Sequence, residues 1–156
     1  TITLGKAFGV YGGAVLGTSS LRQRIFDRSH LFVGNTPMPL PLVAAADEAL
    51  KVVRRDRKLR ARLVENTRYV KESLASAGIS VSQTPSSIFS LIPRSAREIS
   101  LLRRRLLAAN IFPPHLKYPG GPPAGYFRFA LSSEHSRAQL KDLLEALASH
   151  HQSART

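Results

Sequence analysis

The sequence predicts an α/β chain in three parts. These are a glycine-rich α/β segment over residues 1–45, a long connecting helix over 46–77, and a small α+β domain over 78–150, with a tail at 151–156. Three observations predict this. Strand-like residues and glycines alternate at the front, where Gly5, Gly9, Gly12, Gly13 and Gly17 fall close together. No proline or glycine interrupts Leu42 to Ala77, and apolar residues recur there at helical spacing. Behind Gly78, short strand-like runs alternate with capped amphipathic segments in a βαββα order.

Taken in order, Thr1 to Leu4 read as the end of a strand, and Gly5 breaks the pattern immediately before Lys6. Gly9, Gly12 and Gly13 let the backbone turn tightly and approach a bulky group, because no Cβ intervenes. A lysine in such a pocket is expected to be partly desolvated, which makes its amine a usable nucleophile of the Schiff-base kind. On these residues alone, Lys6 reads first as a solvated surface charge. Ala14 to Gly17 is a short apolar run that reads as a buried strand. Ser19 or Ser20 caps a helix through about Arg28, with Leu21, Ile25 and Phe26 on its apolar side. Residues 31–41 carry prolines at 37, 39 and 41, so an extended loop is expected, either a functional segment or a plain connector.

From Leu42 to about Ala77 the stripe Leu50, Val53, Leu59, Leu63, Val70 and Leu74 predicts one long helix, kinked near Arg55 to Lys58. Its basic middle, Lys51 to Arg62, reads first as a solvated face, and Gly78 stops the helix as the C′ residue. Ile79 to Gln83 and Ser87 to Ile92 are strand candidates separated by Pro85. Ser95 to Glu98 form a capping box for a helix carrying Ile99, Leu102 and Leu106, with Asn110 near its end. Ile111 to Tyr118 is extended and broken by Pro113 and Pro114, and Pro119 to Pro123 is a loop. Gly125 to Leu131 is the clearest strand. Alternation points Arg128 away from Phe127 and Phe129, offering its planar fork to a carboxylate or simply to solvent. Ser136 to Gln139 cap a last helix with Leu140, Leu143, Leu144 and Leu147 on one face.

Composition narrows the functional classes. In 156 residues there is no cysteine, so disulfides and thiolate metal sites are excluded and a cytoplasmic location is expected. The five histidines offer no ligand-spaced pair except His150-His151, so no metal is expected. No run of eighteen apolar residues suggests a membrane helix. The net charge of +13 attracts polyanions or phosphorylated small molecules, yet no nucleic-acid-binding motif accompanies it. The chain opens inside a strand without a methionine, so it is expected to be the back part of a longer protein.

Thr-Leu-Gly-Lys-Ala-Phe-Gly-x-x-Gly-Gly at 3–13 resembles the cofactor-lysine signature of the α-oxoamine synthases, a family of fold-type-I pyridoxal-phosphate enzymes. Asn35-Thr36-Pro37-Met38-Pro39 is similar to that family's Ser/Asn-Thr/Ser-x-x-Pro segment, and Arg128 to His135 to its Arg-x-x-x-(Ser/Thr)-Ala-x-His element. The resemblance covers almost the whole chain and implies the C-terminal portion of that fold: the end of the large domain, the linking helix and the small domain. It also implies pyridoxal 5′-phosphate as cofactor. Lys6 would bind it covalently and later move the substrate Cα proton. Thr3 would hydrogen-bond its phosphate, and Thr36 would reach the phosphate of a neighbouring subunit's cofactor in a homodimer. Arg128 would hold the amino-acid carboxylate.

The activity implied is condensation of an amino acid with an acyl-CoA, the basic surface being compatible with CoA. The family's ring-stacking histidine and nitrogen-pairing aspartate belong to a half that precedes the matching region. The isolated chain is therefore expected to bind cofactor poorly and not to turn over. Pro37 and Ser133-Glu134 depart from the commoner family residues, so specificity does not transfer. A pyridoxal-phosphate aminotransferase, which uses the same lysine and arginine, and a non-catalytic interaction domain are the competing expectations.

Overall fold

A computed structural model describes residues 1–32, 34–112 and 114–153, with the backbone alone for Phe32 and 150–153. Val33 in the expected proline loop, Pro113 in the expected extended segment, and 154–156 in the expected tail lie outside the described residues. The chain divides into two compact units, Thr1–Arg57 and Lys58–Thr156.

In the first unit, β1 (Ile2–Thr3) pairs antiparallel with β2 (Gly13–Ala14), Ile2 opposite Ala14. The loop between them is held by Leu4 N–H to Gly12 O at 2.9 Å and Val10 N–H to Leu4 O at 3.0 Å. The expected buried strand over 14–17 does not form. Pairing ends with the two-residue β1, and Val15 and Leu16 are exposed. Helix α1 (Ser19–Arg28) is capped by Thr18, one residue before the expected serine, its Oγ1 accepting from Leu21 N–H at 3.2 Å. A 3-10 turn at His30–Phe32 leads into the proline loop.

Helix α2 (Leu40–Arg55) starts two residues earlier than expected, with Pro41 in its first turn, where a missing N–H leaves no bond unmade. The long helix expected to kink near Arg55 to Lys58 is instead two helices, and the break falls within that stretch. Asp56 has ψ 87°, and α3 (Arg57–Ser76) begins after it. That ψ breaks the i→i−4 ladder. Aspartate is a poor helix-interior residue and a favoured residue immediately before a helix.

The second unit contains α3 from Lys58, β3 (Ile88–Leu91), α4 (Ala96–Ala108), β4 (His115–Leu116), β5 (Tyr126–Ala130) and α5 (Arg137–Ser153). Its antiparallel sheet has the order β3-β5-β4, with Phe89 opposite Phe129, Ser90 opposite Arg128, and His115 opposite Phe127. The helices supply Val70, Leu74, Leu102, Leu106, Leu140 and Leu147 to one core with Phe89, Phe127 and Phe129. Phe89 and Phe129 stack with centroids 4.9 Å apart.

The ends of these helices follow from the sequence. Gly78 (φ 74°) closes α3, with Ile79 N–H bonded to Leu74 O at 2.9 Å. Asn110 (φ 55°) closes α4 in the same way, through Ile111 N–H to Leu106 O at 2.8 Å. The strand expected over Ile79 to Gln83 is absent: Ile79 and Val81 are buried as an irregular segment that joins no ladder. Ser95 Oγ accepts from Glu98 N–H at 3.1 Å, while Glu98 reaches back to Arg94 N–H, one residue beyond the usual box partner. Ser136 and Gln139 form the full reciprocal box at 2.9 and 3.2 Å. Helix α5 continues to Ser153, past the expected start of the tail. No described helix is long and apolar enough to cross a membrane.

Candidate active site

Lys6 lies at the start of a turn between β1 and β2, closed by Gly9 N–H to Lys6 O at 3.0 Å, with Gly9 at φ 62°. Its side chain is exposed, and no carboxylate pairs with it among the described residues. The desolvation expected of Lys6 is thus not supplied by this chain: the glycines that free the backbone have no side chains with which to cover an amine. Thr3 is exposed, and its Oγ1 accepts from Gly5 N–H at 3.3 Å, leaving the hydroxyl proton to be donated outward.

Thr36 is exposed in the loop before α2. That loop meets the lysine loop through Met38: a Cβ on Gly12 would stand 2.3 Å from Met38 Cε. Gly12 also sits at φ 124°, a conformation only glycine adopts readily. The structure thus brings the lysine loop and the Thr36 loop together within the first unit, through a methionine the sequence does not mark as special.

Arg128 is on β5 in the second unit. Phe127 and Phe129 turn inward with 0% and 5% exposure, and Arg128 turns out beside Ser90. Its backbone N–H donates to Pro114 O at 3.1 Å, and no carboxylate pairs with its guanidinium among the described residues. The rest of its motif is structural. His135 Nδ1 accepts from Ser132 N–H at 3.1 Å, closing the turn after β5, and Asn66 Nδ2 donates to Ser132 O and His135 O at 3.0 and 3.1 Å. Arg62 braces the same turn through Glu134 at 2.8 Å. Asn66 escapes a reading of the sequence because nothing local marks a mid-helix asparagine as a clamp.

The model of the aminotransferase class I and II family matches residues 1–147. The chain belongs to that family. Its curated relatives place it on the α-oxoamine synthase branch. It is 31% identical over 146 residues to an 8-amino-7-oxononanoate synthase of Thioalkalivibrio sulfidiphilus, a match covering 93% of this chain and 37% of the relative. Among solved structures, an 8-amino-7-oxononanoate synthase from Francisella tularensis is 25% identical with TM-score 0.84, covering 99% of this chain and 45% of that one. A serine palmitoyltransferase variant from S. paucimobilis, holding a pyridoxal-phosphate–myriocin aldimine, shares the fold at 19% identity and TM-score 0.83, covering 97% and 39%.

The fold is therefore that of the C-terminal portion, about 40%, of fold-type-I pyridoxal-phosphate enzymes. The chain spans less than two fifths of the length of the curated relatives it matches. Another solved serine palmitoyltransferase of this fold, at 19% identity, holds pyridoxal phosphate as an internal aldimine. The residues present fit such a group: an exposed primary amine for its aldehyde, an outward hydroxyl for its phosphate, and open space on the loop, since a Cβ on Gly9 meets nothing within 4 Å.

Proposed function

We propose that the chain is the C-terminal part of a pyridoxal-phosphate-dependent acyltransferase that condenses an amino acid with an acyl-CoA. The observation that carries this is the Thr3–Gly13 loop, which presents Lys6 and Thr3 outward on a glycine turn, in a chain whose matched relatives include 8-amino-7-oxononanoate synthases. When bound, pyridoxal phosphate supplies an electron sink for the amino acid's α-carbon. Lys6 Nζ would hold the cofactor through its aldehyde and would move the substrate's Cα proton. Thr3 Oγ1 donates to the phosphate. Thr36 serves the phosphate of a second subunit's cofactor in a homodimer. The Arg128 guanidinium holds the substrate carboxylate with paired N–H donors. The thiol leaving group is CoA, and the basic surface favours its approach.

The domain division follows the same reading. Residues 1–45 belong to the cofactor-binding domain, 46–77 to the link, 78–150 to the small domain, and 151–156 to a tail. The chain alone is inactive, because the groups that stack on and pair with the cofactor ring lie in the preceding part of the family's fold.

The test is reconstitution. The chain is combined with the preceding part of the Thioalkalivibrio relative, then given pyridoxal phosphate, an amino acid and an acyl-CoA. Thiol release that vanishes with Lys6→Ala supports the acyltransferase. Keto-acid formation without thiol release replaces it with the aminotransferase reading. A folded, cofactor-loaded complex that does neither makes this chain an interaction domain.

A further inference from the structure

Lys71 is the one charged side chain found buried among the described residues, at 5% exposure. An ammonium carries three donors. Here Nζ meets one acceptor, Thr84 O at 2.6 Å, and no carboxylate pairs with it. Burying a cation with two donors unmet is costly unless something else meets them. The side chain lies at a cavity of about 240 Å³ between one face of α3 and the Gln83–Pro85 segment, wholly within the second unit.

The lining defines what fits. Arg68 adds a second cation and Glu72 the single acid, so the charged wall is net positive by one. Thr67 Oγ1 spends its proton on Leu63 O at 2.7 Å, and the Gln83 amide gives one of its two N–H groups to Val81 O at 3.1 Å. Val64 and Pro85 supply an apolar wall. The volume falls below the roughly 300–1,000 Å³ of sites for drug-sized ligands, so the occupant is small.

We propose that this cavity is a binding site for a small monocarboxylate. Its carboxylate accepts from the two remaining Lys71 N–H groups and from Arg68, and its short alkyl body lies on Val64 and Pro85. The cavity shares no lining residue with those assigned to the acyltransfer reaction, and the proposal does not depend on that assignment.

The test is titration of the full chain with butyrate, with butyramide as the uncharged isostere, and with inorganic phosphate, at constant ionic strength. Amide shifts at Thr84 and calorimetry provide the readouts. Saturable butyrate binding that butyramide does not reproduce is expected, weakened about tenfold or more in Lys71→Met, since charge-assisted hydrogen bonds are lost. Should Lys71→Met fail to fold, Arg68→Gln decides, because that exposed substitution leaves the core intact and must weaken binding measurably. No saturable response, or a response unchanged in the variant that folds, leaves Lys71 as a clamp on Thr84 filled out by water and overturns the proposal. Preference for phosphate over butyrate overturns the monocarboxylate assignment.

Discussion

Asn66 holds His135 from 69 residues away in the chain, its side-chain amide 3.1 Å from the His135 carbonyl and 3.0 Å from that of Ser132. Both acceptors belong to the turn that ends β5, four to seven residues beyond Arg128. Asn66→Ala leaves two partly buried carbonyls without their donor, at a cost of about 1–3 kcal/mol in urea unfolding. Asn66→Asp costs more, because a carboxylate faces two carbonyl oxygens. The denaturant slope is expected to stay constant while the midpoint falls. An unchanged midpoint in both variants would show that the turn stands without the clamp.

Gly12→Ala tests the seam between the lysine loop and the Thr36 loop. Two costs combine there, the φ of 124° and a Cβ placed 2.3 Å from Met38 Cε. The methionine end is flexible and moves cheaply, so the backbone dominates, at about 1–3 kcal/mol. Met38→Ala added to Gly12→Ala recovers only the smaller share. Full recovery by the double variant, measured by thermal unfolding, would assign the whole effect to the side-chain contact.

What was legible in the sequence was local. Ser136 and Gln139 form their box because both partners lie within one turn, and Gly78 ends α3 because glycine takes the left-handed region without a Cβ penalty. Phe127, Arg128 and Phe129 alternate as a strand must. Readings failed where distant neighbours decide. Val15 and Leu16 are apolar yet exposed, and they join no ladder. Ile79 and Val81 are buried without a strand, because the core takes their side chains while no ladder takes their backbone. At Asp56 the kink expected between Arg55 and Lys58 is a full break between two helices. At the site, residue types singled out Lys6 and Arg128 and the family resemblance proposed Thr3 and Thr36; Lys6 is exposed in this chain, and the contact of Met38 and the clamp of Asn66 emerged only in three dimensions.

Lys51 provides a pH prediction. Its hydrogen bonds to Asp47 and Glu48, at ion-pair distances of 2.8 and 3.3 Å, and their charges raise its pKa above the ordinary lysine value. Because the folded value lies above the unfolded one, the pair's contribution is complete at neutral pH and fades as pH rises through the raised value. The side chains are exposed, so the effect is small and screened by salt. Helicity followed by circular dichroism should fall more steeply at high pH for the native chain than for Lys51→Gln. Identical profiles at low ionic strength would remove the pair from the stability of α2.

Phe127 and Arg128 are neighbours with opposite expected behaviour. Phe127 is fully buried, with its ring 4.9 Å from that of His115 and its strand in the middle of the sheet. Phe127→Ala removes an aromatic ring from the centre of the core and is expected to cost about 3–5 kcal/mol. Arg128→Ala removes an outward side chain with no ion pair among the described residues, so stability should change by no more than about 0.5 kcal/mol. In the reconstituted enzyme the order reverses for substrate: Arg128→Ala loses the carboxylate clamp, and amino-acid affinity drops by about tenfold or more. Arg128→Lys keeps the charge without the planar fork and restores only part of that affinity. If Arg128→Ala instead unfolds the second unit, or leaves amino-acid affinity unchanged, its guanidinium is not the carboxylate ligand.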